Sequence, residues 1–213
     1  MEKKTKTLLV TNIPDISIFT KKLKESFEIR EVYTIPNNDT FLFVIFYNIK
    51  DADQCQKELL SKGYKAYFTI SKYEFPKDHE KCDKDKNQST LFISSKNLSD
   101  YNESVLSEYG EIREIRGANP TTICVEYFDS RSADTCVSEL SKKGVTVKYV
   151  WDMSTKTKWD IIRHTDSVIS QVIPPVQKKK KPVINVYKNM FIKEFDEFIS
   201  ENIDDIIQEL NSN

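Results

Sequence analysis

A short apolar stretch, from Phe41 to Phe46, has the residue types and spacing to bind flat aromatic ligands such as nucleobases. Alternate side chains of an extended strand point to opposite faces, so Phe41 and Phe43 share one face with Ile45. The opposite face carries Leu42, Val44 and Phe46. If that opposite face packs into a core, two aromatic rings are left on the first face. Stacking of one base on such a ring contributes about 1–3 kcal/mol.

Other kinds of chemistry have weaker support. The chain has only two histidines, and no glycine-rich phosphate loop, paired carboxylates or Ser/His/Asp set stands out, so we expect no catalysis and no cofactor. His79 and Cys82 are one candidate pair of metal ligands, but a zinc site needs about four, so we expect no metal. Cys55 and Cys136 are interpreted as core residues of two equivalent helices.

The composition is typical of a soluble intracellular protein. The 213 residues leave room for two small domains or one of medium size, with 38% hydrophobic and 31% charged residues. No apolar run is long enough to span a bilayer, and the N-terminus does not resemble a secretory signal. The four cysteines stand far apart, which favours reduced thiols. We therefore expect the protein in the nucleus, the cytoplasm or both.

The net charge of −1 conceals an uneven distribution. Residues 1–77 carry 13 basic and 10 acidic side chains, a net charge of +3, whereas residues 90–152 carry 7 and 10, a net charge of −3. Residues 153–181 have a net charge of +5, and residues 182–213 have one of −5. A weakly basic front half and an acidic second half are not expected to share one task.

The sequence contains an internal repeat. Ala52-Asp53-Gln54-Cys55 returns 81 positions later as Ala133-Asp134-Thr135-Cys136, and Ile29-Arg30-Glu31-Val32 returns as Ile112-Arg113-Glu114-Ile115. Each copy reads strand–helix–strand–strand–helix–strand. This pattern predicts the α+β class, with two tandem domains of the ferredoxin-like βαββαβ plan. In that plan a four-stranded antiparallel sheet carries two helices on one face.

The repeat and the composition predict five segments. They are domain 1 (residues 1–77), a charged linker (78–89), domain 2 (90–152), a basic connector (153–188) and an acidic amphipathic C-terminal helix (189–213). The connector contains one possible helix, Lys156–Ile173, which ends before Pro174. The apolar stripe of the C-terminal helix is interpreted as partner-binding, with Phe191, Phe195, Phe198, Ile199, Ile206 and Leu210.

The two copies resemble the first two RNA-recognition motifs (RRMs) of the Mei-two-like family, eukaryotic RNA-binding regulators of meiosis. The similarity includes Phe46-Tyr47-Asn48-Ile49-Lys50-Asp51-Ala52, Val125-Glu126-Tyr127-Phe128-Asp129-Ser130-Arg131-Ser132-Ala133 and the linker stretch Asp85-Lys86-Asn87-Gln88-Ser89-Thr90-Leu91. It implies RRM folds, single-stranded RNA binding and post-transcriptional regulation. The family's third, C-terminal RRM has no expected counterpart after Trp151.

The RRM pattern predicts which residues contact RNA. Phe41 and Phe43 fall on the stacking places of the third strand, with Tyr33 beside them, although Asp39 and Thr40 replace the usual basic residue and glycine. Basic side chains are interpreted as phosphate contacts. The predicted set is Leu9, Asn12, Arg30, Tyr33, Phe41, Phe43, Lys72, Phe92, Lys96 and Arg116.

Two alternatives stay open at this point. A helix of the chain itself can cover Phe41 and Phe43, and the segment 189–211 is the obvious candidate. Domain 2 has Thr122 and Cys124 at its stacking places and a negative net charge, which favours a protein-facing RRM. The protein is then an interaction module, or a ribonucleoprotein-associated one such as a ribosome-bound factor. Its expected partners are single-stranded RNA and a protein, with no membrane and no small-molecule substrate.

Overall fold

A computed structural model describes residues 3–34, 40–72, 74, 82–151 and 153–172. The first domain consists of β1 (Thr7–Thr11), α1 (Ile16–Ser26), β2 (Ile29–Tyr33), β3 (Phe41–Phe46), α2 (Ile49–Ser61) and β4 (Lys65–Thr69). Its strands form one antiparallel sheet in the order β2-β3-β1-β4. Both helices pack on one face of this sheet, where Leu8, Val10 and Val44 meet Phe19 and Leu23 in the core.

The second domain repeats this plan. It consists of β5 (Thr90–Ser94), α3 (Glu103–Ser107), β6 (Ile112–Asn119), β7 (Thr122–Tyr127), α4 (Ser130–Lys142) and β8 (Thr146–Tyr149). The sheet order is β6-β7-β5-β8, which is equivalent to that of domain 1. The predicted α+β class with two tandem RRM folds is therefore confirmed.

Polar side chains fix the starts of the helices. The carboxylate of Asp15 accepts a hydrogen bond from the Ile18 N–H at 2.9 Å, and the Asn48 side-chain oxygen accepts one from the Lys50 N–H at 2.9 Å. These N-caps satisfy backbone donors that have no partner inside the helix. Since Asn48 is the cap, α2 begins at Ile49.

One further helix follows domain 2. It is α5 (Thr155–Val172), which the sequence pattern places at Lys156–Ile173. Its apolar side chains pack against the sheet of domain 1, although domain 2 precedes it in the chain. The second predicted helix lies outside the described residues, together with its stripe of Phe191, Phe195, Phe198, Ile199, Ile206 and Leu210.

The described part of the inter-domain linker, residues 82–89, is not simply solvated. Asn87 is buried, and its side-chain amide donates to the Ser130 carbonyl at 2.8 Å. Lys6 Nζ donates to the Gln88 carbonyl at 2.8 Å. These hydrogen bonds replace those that the polar groups make with water, so the linker packs against both domains. The segment boundaries themselves stay a prediction.

The two domains meet across a pseudo-two-fold axis. The Ile49 N–H donates to the Phe128 carbonyl at 3.1 Å, and the Ser130 N–H donates to the Tyr47 carbonyl at 3.0 Å. In the repeat, position 49 corresponds to 130 and position 47 to 128. Equivalent residues therefore make reciprocal contacts, as in a symmetric dimer, but within one chain.

Charged side chains follow the same symmetry. Lys50 Nζ lies 2.5 Å from the Glu111 carboxylate and 4.1 Å from the centroid of the Phe128 ring. Its counterpart Arg131 pairs with Glu28 and lies 4.7 Å from the centroid of the Tyr47 ring. Each exposed ion pair contributes only about 0.2–1 kcal/mol, so the pairs fix orientation more than they hold the domains together.

Charge reversal tests this orientation. Glu28→Lys places two cations against each other, and we expect the radius of gyration from small-angle X-ray scattering to rise. Adding Arg131→Glu re-forms the pair with its signs exchanged and should move the value back toward that of the wild type, but not fully, because Asp129, 2.6 Å from Arg131 in the wild type, repels the new carboxylate. Lys50→Glu with Glu111→Lys is the symmetry-related control. Scattering that does not change in any single variant contradicts this role of the ion pairs.

Gly110 is a position where only glycine fits. Its φ is +149°, and an added Cβ would lie 2.0 Å from Ser132 Oγ and 2.6 Å from Ser132 Cβ. The turn into β6 thus approaches the first turn of α4 too closely for any side chain.

We expect Gly110→Ala to lower the stability of domain 2 by more than about 1 kcal/mol, because backbone strain adds to the overlap. Urea unfolding followed by Trp fluorescence and circular dichroism measures the change. Gly117→Ala is the matched control, since nothing lies within 4 Å of a Cβ built there. Equal midpoints for the two variants would contradict the steric explanation.

Candidate nucleic-acid interface

The sheet face opposite the helices carries one row of side chains at equivalent positions in each domain. In domain 1 the strand register places in this row Tyr67, Leu9, Phe43 and Tyr33. In domain 2 it places in this row Lys148, Phe92, Cys124 and Arg116. We call them the domain 1 row and the domain 2 row. The first is apolar and aromatic, whereas the second has one aromatic ring between two cations.

The domain 1 row is covered by α5. Leu9 and Phe43 are fully buried, and Phe41 is 1% exposed. Tyr33 stacks on Phe43 with ring centroids 4.8 Å apart, so the rings contact each other and not a ligand. The α5 side chains buried in this cluster are Ile162, Val168 and Ile169, with Trp159 and Ile161 at its margin.

Polar contacts also hold α5 in place. The hydroxyl oxygens of Thr69 and Thr165 lie 2.7 Å apart, and both residues are buried. Lys158 Nζ donates to the Glu74 carbonyl at 2.7 Å and lies 3.9 Å from the centroid of the Trp151 ring. Buried polar groups that are paired in this way mark a packed core and not a loose cover.

The structure therefore does not give domain 1 the open aromatic face that the sequence predicts. Three buried aliphatic side chains of α5 stabilise the closed face by roughly 5–9 kcal/mol. Stacking of two bases contributes about 2–6 kcal/mol in total, which is below most of this range. Leu9, Phe41 and Phe43 act as core residues here, with Tyr33 half-buried at their edge, and the alternative of a covering helix is correct. The covering helix is α5; the segment 189–211 lies outside the described residues.

Of the polar residues predicted for domain 1, one lies at the domain 1 row and two do not. Lys72 Nζ lies 2.9 Å from the Glu31 carboxylate and 4.8 Å from the centroid of the half-buried Tyr33 ring, so the structure brings Lys72 and Tyr33 together. Arg30 donates to the Asp85 carbonyl at 2.5 Å and so helps to position the linker. Asn12 is exposed after β1, with a φ of +63°.

The domain 2 row is accessible. Phe92 is partly exposed, whereas Arg116 and Lys148 are exposed. Adjacent strands lie about 4.8 Å apart, so Lys148 is one strand from Phe92 and Arg116 is two strands away on the other side. A base stacked on the Phe92 ring would have a cation within reach of the phosphates on either side. Lys96 is exposed beyond the end of β5.

Carboxylates moderate the positive charge of this row. Arg116 lies 3.5 Å from Glu114 and 3.8 Å from Glu126, and Glu126 also accepts a hydrogen bond from Arg113 at 2.6 Å. The Glu126 carboxylate is buried, whereas the Arg116 side chain is 44% exposed, so a phosphate can approach Arg116 from solvent. Lys148 makes no ion pair with any residue that the structure describes.

Arg116 also lines a polar cleft of about 160 Å³ beside the β6 edge. Lys3 and Lys4, from the segment before β1, also line this cleft, and Lys4 is paired with Asp53 at 2.8 Å. The lining includes the carboxylates of Glu74, Glu114 and Glu126 as well, so the domain 2 row borders a cleft of mixed charge at the junction of the two domains.

The sequence prediction missed Lys148. Its signal was present in the internal repeat, because Lys148 occupies the position of Tyr67, 81 residues earlier. Lys148 lies on the last strand of domain 2, whereas the RRM stacking pattern covers other strands, so that pattern alone does not reveal Lys148.

The described residues provide two further observations. None of their helices is both long and apolar enough to cross a membrane. No group of three or more His, Cys, Asp and Glu side chains among them is arranged to hold a metal ion.

Because α5 forms part of the core of domain 1, shortening one of its buried side chains should lower the stability of that domain strongly. Ile162→Ala should destabilise domain 1 by about 2–5 kcal/mol, because it leaves a cavity above the domain 1 row. Urea unfolding measures the loss. Ser167→Ala, at an exposed position of the same helix, should change stability by less than about 0.5 kcal/mol. Equal midpoints for both variants would show that α5 is not part of the core.

Comparisons with known proteins identify related sequences. Over 158 residues, which is 70% of this chain, it is 29% identical to Protein MEI2-like 4 of Oryza sativa subsp. japonica and 30% identical to Protein MEI2-like 5 of the same plant. It is also 30% identical over 158 residues to Protein MEI2-like 3 of Arabidopsis thaliana. The chain spans 16%, 19% and 21% of these relatives, or about a fifth of their length. No protein-family model matches it.

Two solved structures show a distant likeness. One is the C. elegans NONO-1 homodimer, with a TM-score of 0.30 and 12% identity, covering 99% of this chain and 90% of that chain. The other contains the three N-terminal RNA binding domains of a yeast splicing factor, with a TM-score of 0.24 and 18% identity, covering 72% of this chain and 69% of that chain. At these TM-scores neither likeness carries an argument about function.

Proposed function

We propose that this chain, which belongs to the MEI2-like family by its similarity over 158 residues, is a non-enzymatic protein that binds single-stranded RNA and acts in post-transcriptional regulation. The proposal places the RNA on the open sheet of domain 2. The observation that carries it is the domain 2 row, in which the accessible Phe92 ring lies between Arg116 and Lys148.

The cleft beside β6 extends the proposed path of the RNA. A strand that stacks one base on Phe92 and passes Arg116 reaches Lys3 and Lys4 within a few nucleotides. Cations spaced along such a path favour a backbone that carries one negative charge per nucleotide. With one aromatic platform and a domain charge of −3, the expected affinity is modest.

The proposal also places the protein inside the cell, in the nucleus, the cytoplasm or both. The four cysteines support this location, since all of them are free thiols in the structure, and Cys55 and Cys136 are buried in the two domain cores.

A titration with short unstructured RNAs tests the stacking role of Phe92. Phe92→Leu keeps an apolar side chain but removes the ring, and we expect at least fivefold weaker binding, which is about 1 kcal/mol. Phe92→Tyr is the matched control and should bind like wild type, because it retains the aromatic face. Fluorescence anisotropy measures each dissociation constant.

The same titration at several salt concentrations tests the charged part of the row. Lys148→Gln should reduce the slope of log K against log salt by about 0.7, the value for one phosphate contact on a single strand. Equal affinities for the wild type, Phe92→Leu and Phe92→Tyr would overturn the proposed site.

The sealed face of domain 1 favours a second candidate function. A domain whose sheet face is covered by the chain's own helix can serve as a scaffold for protein contacts. In this case the protein is an interaction module, or a module that associates with a ribonucleoprotein. The absence of any RNA binding by the wild-type chain in the titration above would favour this candidate.

A further inference from the structure

The helical face of domain 1 contains a groove that the proposed RNA surface does not use. It runs between α1 and α2 and encloses a cavity of about 260 Å³. Its floor is apolar and aromatic, formed by Phe19, Leu23, Phe27, Leu59 and Tyr64. The cavity is smaller than the roughly 300–1,000 Å³ of pockets for drug-sized ligands, and its size suits one large apolar side chain.

The rim of this groove is mainly basic. Lys22 lines it from α1 and Lys62 from the end of α2, and Glu58 is the only acidic residue among the described residues that line it. Glu58 lies 3.6 Å from Lys62, in an exposed pair that contributes little. Ile18, one helical turn before Lys22, is 57% exposed and extends the apolar surface along α1. An occupant with aromatic side chains and negative charge would complement the groove.

A segment of this same chain has that chemistry. Residues 189–211 contain three phenylalanines, Phe191, Phe195 and Phe198, among seven acidic residues and one lysine, for a net charge of −6. Phe191, Phe195 and Phe198 follow the three- and four-residue spacing that places side chains on one side of a helix. These residues lie outside the part of the chain that the structure describes.

The segment is also close enough in the chain to reach the groove. The last described residue is Val172, and residues 173–188 supply 16 residues before the segment begins. An extended chain of that length reaches about 50 Å. A domain of about 70–75 residues has a radius of gyration near 11 Å, so the connection can pass around domain 1 to its helical face.

We propose that the groove between α1 and α2 is a docking site for the chain's own acidic aromatic segment, residues 189–211, with one phenylalanine in the cavity. Lys22 and Lys62 attract the acidic residues beside it. Docking is intramolecular, so a weak contact is populated because the local concentration of a tethered segment is high, in the millimolar range for a short flexible tether. This contact is independent of RNA and of the domain 2 row.

Methyl NMR of the full-length chain tests this proposal. The methyl groups of Leu23 and Leu59 report on the groove, and those of Leu140 report on the core of domain 2. Phe195→Ala combined with Phe198→Ala should shift the Leu23 and Leu59 signals and leave Leu140 unchanged. Lys22→Glu combined with Lys62→Glu should weaken docking at least fivefold, because both changes repel the acidic segment.

The matched control is Lys142→Glu combined with Lys143→Glu, at the corresponding helix end of domain 2. It should leave the Leu23 and Leu59 signals unchanged. The wild-type spectrum should not depend on protein concentration, and Phe92→Leu should not alter the groove signals.

Two outcomes would overturn the proposal. Groove signals that are the same in the wild type and the phenylalanine variant would show that the segment does not dock there. Groove shifts that grow with protein concentration would assign the site to a second copy of the chain.

Discussion

The burial of the outer sheet face of domain 1 under α5 is the contact on which the arrangement of the chain depends. That face carries Tyr33, Phe43 and Tyr67, which would form a large apolar patch in water if left open. The helix removes it from solvent with aliphatic side chains and paired buried polar groups. Because α5 follows domain 2 in sequence, this packing joins both ends of the described chain to domain 1.

The two domains show how one fold can diverge at the same positions. Leu9 and Phe43 of the first copy correspond to Phe92 and Cys124 of the second. The apolar pair belongs to a core with α5, whereas the second pair remains accessible between Arg116 and Lys148. The interface between the domains has stayed nearly symmetric, since Lys50 and Arg131 both pair with a glutamate of the other domain. The two copies have therefore diverged more in their outer sheet faces than in the interface between the two domains.

The fold could be predicted from the sequence because strand alternation, helix caps and the internal repeat are local signals. The helix Thr155–Val172 was also predictable, since its apolar spacing is regular. Its location was not, because periodicity shows which residues seek burial but not which surface buries them. The same Phe41 and Phe43 pattern serves a nucleobase or a covering helix, and both remove the rings from water. Only the three-dimensional contacts with Ile162 and Ile169 decide between them.

The order in which the chain is made adds a consequence of the α5 packing. The ribosome finishes β4 at Thr69 but reaches the start of α5 at Thr155 only 86 residues later. At about 5–20 residues per second, the aromatic side of domain 1 waits roughly 4–17 s for its cover. During translation this surface is therefore open to chaperones, to other nascent chains and to the messenger itself. A transcript that ends between the two domains would yield a product in which that surface is never closed.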